Sequence, residues 1–190
     1  MILFGILGLL WLPAIALTIS QATKPNFARS WFIAIAGASL AWIGIFFLRL
    51  YLPMDVELIR WLPETLYHTS IAFRIDYINW HYMVAILALC IAVILTDSSR
   101  ASTSTTPTSW AAALVLTGLN LISVMSRDPL TMSIAWAVTD LVELIYVLSI
   151  LRNSESKGRV TTVYGVRLIS TFVLVAATAI GWQVTAGLDF

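Results

Sequence analysis

The sequence predicts an all-α membrane protein, a bundle of about six transmembrane helices in one domain. Hydrophobic residues make up 59% of the 190 positions and charged residues 11%, whereas soluble domains run about 45–50% apolar and 25% charged. The mean hydropathy is +0.90. The apolar residues fall into six stretches near 2–20, 30–51, 77–96, 109–126, 129–151 and 160–186, each close to the roughly 20 residues that cross a hydrocarbon core. A formal net charge of +1 supplies no basic surface for nucleic acid. Cys90 is the single cysteine, which excludes an intramolecular disulfide and a cysteine metal site.

The first stretch is apolar from its second residue. Met1 to Ile19 lacks the positively charged start and the clean small-residue cleavage site of a signal peptide, so a retained span is expected. Pro13 should kink it, a distortion that neighbouring helices tolerate. A polar break from Gln21 to Arg29 leads to the second span, where Ala34-Ile-Ala-Gly-Ala38 permits close helix contact. The outer loop, 52–76, is the one long connection. It mixes Asp55, Glu57, Glu64 and His68 with Trp61, Leu66 and Tyr67, and Pro53 and Pro63 punctuate it. The expectation is a short helix on the membrane surface, then a strand-like run from Thr69 to Ile75. The functional alternative is a substrate-binding loop.

Asp76 opens the third span, and His81 lies one turn inside it. Asp97 to Ser109 reads as a flexible serine- and threonine-rich linker. The fourth span is the shortest, and Asn120 and Ser123 fit a helix packed among others. The fifth carries Trp136, Asp140 and Glu143, and the sixth carries Arg167. Trp11, Trp31, Trp61, Trp80, Trp110 and Trp182 are read as interfacial anchors near span ends. No histidine pair suits a haem, no glycine spacing suits a phosphate, and no nucleophile triad is present. No cofactor or metal ion is expected.

Lysine and arginine set orientation. With the N-terminus outside, the inner side receives Lys24, Arg29, Arg100, Arg152, Lys157 and Arg159, and the outer side Arg49, Arg60, Arg74 and Arg127. Both termini are therefore expected outside.

Asp140 and Glu143 are the strongest functional clue. A carboxylate at the centre of a spanning helix costs about 2.5–3.5 kcal/mol on insertion scales, so such residues face protein or water and do work there. A separation of three puts both on one helix face. They read as a proton-relay or cation-binding pair, or else as charges neutralised by an arginine or a partner subunit. Arg167 is the intramolecular candidate. Glu143 lies about 9 residues before Arg152, or roughly 13 Å at 1.5 Å per residue, and Arg167 about 8 beyond Arg159. An antiparallel fifth and sixth helix would place the two at similar depth. Asp76 and His81 are candidates for proton access, with interfacial hydrogen bonding as the plainer role.

Three runs, Ile71-Ala-Phe-Arg-Ile-Asp76-Tyr-Ile-Asn-Trp80, Arg127-Asp128-Pro129-Leu130 with Trp136, and Tyr164-Gly-Val-Arg167, occur in one order. In that order they resemble the front part of the antiporter-like membrane subunits of respiratory complex I and their Mrp-type cation/proton antiporter relatives. The resemblance covers about residues 70–185; the first two spans fit it by position alone. It implies that a hairpin-like segment ends in Asp76 at the mouth of the third helix, that a short polar turn at Asp128 opens the fifth, and that Trp136 is the packing tryptophan of the family's Trp-Glu pair. Tyr77 stands where the family prefers glycine, and Ala137 where it keeps its glutamate. A carboxylate returns one turn later as Asp140, and Glu143 replaces a small residue. The family's later helices, with their lysines and broken helix, have no counterpart here.

The expected function is thus a membrane subunit of a proton- or cation-translocating, energy-converting complex, with other membrane subunits as partners and H+ or Na+ as the ion. The resemblance implies the cytoplasmic membrane of a prokaryote. One rival is a structural or assembly subunit that transports nothing. Another is a small homo-oligomeric transporter.

Overall fold

The computed structural model describes residues 2–23, 26–60, 70–99, 107–151 and 154–186. Among these the chain is mostly helical: α1 (Ile2–Thr23), α2 (Phe27–Leu48), α3 (Tyr77–Ser99), α4 (Pro107–Met125), α5 (Pro129–Ile150) and α6 (Ser154–Ala186), with paired strands β1 (Met54–Arg60) and β2 (Ser70–Ile75). All six helices are long and apolar enough to cross a membrane, as expected of an integral membrane protein. The chain divides into two compact units, Met1–Met54 with Ile75–Val124 and Asp55–Arg74 with Met125–Phe190.

In the first unit α2 is the central contact element, with α1 and α3 against it. Its buried residues, Ser30, Ala34, Gly37, Ala38, Ala41, Ile45 and Leu48, recur at three- and four-residue spacing and are mostly small. The opposite face exposes Phe32, Leu40, Ile43 and Phe47. Lipid is as apolar as leucine, so small residues that let backbones approach drive association while large ones face the tails. Of the α2 glycines Gly37 lies tightest against α1: a Cβ there would be 2.5 Å from Pro13 Cγ and 3.1 Å from the Leu9 carbonyl oxygen. That carbonyl lies one turn before Pro13, whose ring nitrogen has no proton to give it. Helix α1 runs unbroken through Pro13. Pro107 occupies the first turn of α4, where its missing N–H costs nothing. Half of the α4 span is buried. Ser123 is buried and its hydroxyl donates to the Leu119 carbonyl at 3.1 Å, whereas Asn120 is exposed. The Cys90 thiol of α3 meets the Thr117 hydroxyl of α4.

The tryptophans correct one expectation. Trp11 sits mid-way along α1, with its indole laid against Gly118 of α4. Trp110 is 1% exposed and meets the edge of Phe27 at 5.1 Å between centroids. Trp80 is 5% exposed, and its indole N–H donates to the Ile45 carbonyl at 2.8 Å. These three fill wedges between helices rather than forming a lipid-facing belt, since an indole supplies large apolar area, and at Trp80 its polar handle also finds an acceptor. Trp61 and the Trp182 side chain lie outside the described residues.

The second unit holds β1, β2, α5 and α6. The expected surface helix at the start of the outer loop is instead strand β1. In Met54-Asp-Val-Glu-Leu58 polar and apolar residues alternate, and from Met54 to Glu57 exposure alternates with them. That is period two, the strand signal. The strand expected up to Ile75 is β2; Glu64 and His68 lie outside the described residues. The edge of β2 is tied to the turn before α5, where the Arg127 N–H donates to the Ala72 carbonyl at 3.0 Å and Phe73 bridges Ser126. The Ser/Thr linker is also shorter than expected, because Asp97 to Ser99 continue α3 and Pro107 to Ser109 begin α4.

Candidate functional site

Helix α5 begins because Asp128 caps it. The carboxylate accepts from the Thr131 N–H at 2.8 Å and from the Thr131 hydroxyl at 2.7 Å, and Pro129 follows in the first turn. Four orphan N–H groups at a helix start make such a cap worth about 1 kcal/mol. From that start Asp140 falls midway along the span Pro129–Ile150, and Arg167 midway along Ser156–Thr178. Helices α5 and α6 lie against one another, and their charged residues meet.

Arg167 Nη1 lies 3.0 Å from Glu143 Oε2 and 3.5 Å from Asp140 Oδ1. The shorter contact is a charge-assisted hydrogen bond, the longer an ion pair without one. The guanidinium also stands over the Tyr164 ring, 5.1 Å from its centroid, and the Tyr164 hydroxyl donates to Glu143. Glu143 is thus held from two sides, while Asp140 keeps most of its acceptor capacity. Side-chain exposure is 50% for Arg167, 38% for Glu143 and 25% for Asp140.

An open cavity of about 410 Å³ borders this cluster, walled by Trp136, Thr139 and Asp140 from α5 and by Val166, Arg167, Ser170 and Thr171 from α6. Trp136, expected as a packing residue, is 46% exposed at the cavity wall. It lies one turn before Asp140 and therefore on the same face. The three hydroxyls share one arrangement. Thr139 donates to the Ala135 carbonyl at 2.8 Å, Ser170 to Val166 at 3.0 Å and Thr171 to Arg167 at 3.1 Å. A hydroxyl has one proton, so each offers only oxygen lone pairs to anything else. Thr139, Ser170 and Thr171 were not singled out by sequence, and Tyr164 was named only as the start of a run in the sixth span, although their spacing to Arg167 or Asp140 at one, three or four residues was readable.

Asp76 and His81 belong to the other unit. Asp76 caps α3, its carboxylate accepting from the Asn79 N–H at 2.8 Å. His81 is exposed, and its Nδ1–H donates to the Tyr77 carbonyl at 2.5 Å, one turn back. A carbonyl can only accept, which puts a proton on Nδ1. Trp80 lies edge-on to His81 and beneath Arg49, whose Cζ is 5.0 Å from the ring centroid. Among the described residues no group of three histidine, cysteine or acidic side chains could hold a metal ion. In comparison with known proteins, no family model matches the chain and no curated protein matches it.

Proposed function

We propose that this chain is a membrane subunit of a proton- or cation-translocating complex, in the manner of the antiporter-like subunits it resembles. The observation that carries the reading is the Asp140, Glu143 and Arg167 cluster, midway along two spans and open to a cavity. Charges at that depth are costly in lipid and are kept where they face water, protein or a moving ion. Asp140 is the group that would exchange a proton or cation, because Glu143 is engaged by Arg167 and Tyr164. The strands that run into Asp76 at the mouth of α3, and the polar turn at Asp128 that opens α5, agree with the organisation the resemblance implies. In this reading both termini face outward, the membrane is a prokaryotic cytoplasmic membrane, and the ion is H+ or Na+.

The same cluster supports a second reading, a structural or assembly subunit, because Arg167 already compensates one carboxylate. Flux separates the two. Vesicles containing the assembled complex with Asp140→Asn and Glu143→Gln should lose most proton or sodium flux, at least about tenfold, if a relay runs through the pair. Unchanged flux in an intact complex would refute translocation through these residues and leave the structural role.

A further inference from the structure

We infer that the α5–α6 cavity is the docking groove for a transmembrane helix of another polypeptide, one that brings a lysine or arginine to the depth of Asp140. The inference rests on the proposed membership of a complex and names the chemistry of the partner. Three observations lead to it. The cluster of Asp140, Glu143 and Arg167 carries two negative charges against one positive, so one negative charge is left over midway along the spans.

The cavity wall adds to that imbalance. Thr139, Ser170 and Thr171 have all spent their protons on their own helices, so beside the Asp140 carboxylate they offer acceptors alone. Arg167 turns its Nη1 to the two carboxylates, and its remaining N–H groups and the Trp136 indole are the donors set against the Asp140, Thr139, Ser170 and Thr171 acceptors. A group rich in donors and positively charged fits such a wall; an apolar lipid tail does not. Finally, 11% of the α5 span and 6% of the α6 span is buried, against 50% of α4. Within the second unit the area that α5 and α6 leave uncovered therefore runs along both helices, the shape that a third helix covers in a groove. A basic side chain there gains two charge-assisted partners and removes the uncompensated charge from the hydrocarbon.

The test is photocrosslinking of the full chain in its native membrane, with benzoylphenylalanine at Thr139 or at Ser170, and at Phe32 on the exposed face of α2 as control. Two positions on different helices guard against one variant failing to assemble. The expected result is an adduct from both cavity positions, and not from Phe32, with a transmembrane segment that has a lysine or arginine within one turn of the adduct. Replacing that basic residue by glutamate should reduce co-purification at least about tenfold, and Asp140→Lys should restore it. Adducts only with lipid, only with a second copy of this chain, or with a segment lacking a basic residue would overturn the proposal. A basic partner segment combined with unchanged flux in the Asp140→Asn, Glu143→Gln complex would sink translocation while docking stands. Lost flux without such a segment would do the reverse.

Discussion

The Arg167 guanidinium reaches the Glu143 carboxylate at 3.0 Å, joining residues 24 positions apart in sequence at one depth in α5 and α6. Because the bond is charge-assisted and directional, it sets how far each helix is rotated about its own axis. Glu143→Arg or Arg167→Glu alone should lower the thermal midpoint of the purified protein in detergent. The double swap should recover most of the loss, with a coupling of about 0.5–3 kcal/mol in the cycle. Additive losses would show that the contact does not hold the helices.

That pair also shows how far the sequence could be read. The depth arithmetic from Arg152 and Arg159 needs only 1.5 Å per residue and a short connection, so the meeting of Glu143 with Arg167 was accessible in advance. The spans were legible for the same reason, since apolar length is a one-dimensional property. Tyr164 and the three hydroxyls were not, because their part depends on which face of α6 turns toward α5. Strand β1 was missed where prolines and charges suggested a surface helix, although Asp55 and Glu57 alternate with Val56 and Leu58. Trp11 was placed by proximity to a span end, while its contact is with Gly118, over 100 residues away.

Gly37 and Pro13 make a second, independent test. A methyl group at Gly37 would lie 2.5 Å from the Pro13 ring, well inside van der Waals contact. Overpacking of this kind costs about 1–3 kcal/mol, so Gly37→Ala should lower the thermal midpoint of the first unit's unfolding. Pro13→Ala in the same chain should relieve part of it by removing Cγ, while the Pro13 Cβ at 2.9 Å and the Leu9 carbonyl oxygen at 3.1 Å keep the site tight. If Gly37→Ala melts like the parent, α1 and α2 are not in this contact.

Trp80 closes the end of α2. There the helix tightens into a 3-10 turn, and the Arg49 N–H turns to the Phe46 and Phe47 carbonyls. The Ile45 carbonyl takes the Trp80 indole proton instead. Trp80→Phe keeps most of the apolar ring but leaves the buried Ile45 carbonyl without that donor, about 1–3 kcal/mol, and loses part of the Arg49 cation–π contact, about 0.5–1 kcal/mol at an exposed site. The variant should fold with a lower midpoint, and Arg49→Gln should cost much less in the Trp80→Phe background than in the parent. Equal cost in both backgrounds would dissociate Arg49 from the ring.

Asp140 and Glu143 share a helix face but should fail differently when neutralised. Glu143 receives a charge-assisted bond from Arg167 and a hydroxyl from Tyr164, so Glu143→Gln removes charge from a contact that orders two helices. Hydrogen bonds to charged groups are worth about 1.5–3 kcal/mol, and half-exposure of Arg167 puts the loss toward the lower end. Asp140 sits 3.5 Å from the same nitrogen, beyond hydrogen-bond distance, and its remaining lone pairs face the cavity. Asp140→Asn should therefore leave the thermal midpoint near the parent's while reducing flux more than Glu143→Gln does. Measured side by side in detergent melts and in vesicles, the two variants should exchange rank between the assays. The same rank in both would mean that one carboxylate serves structure and ion path together.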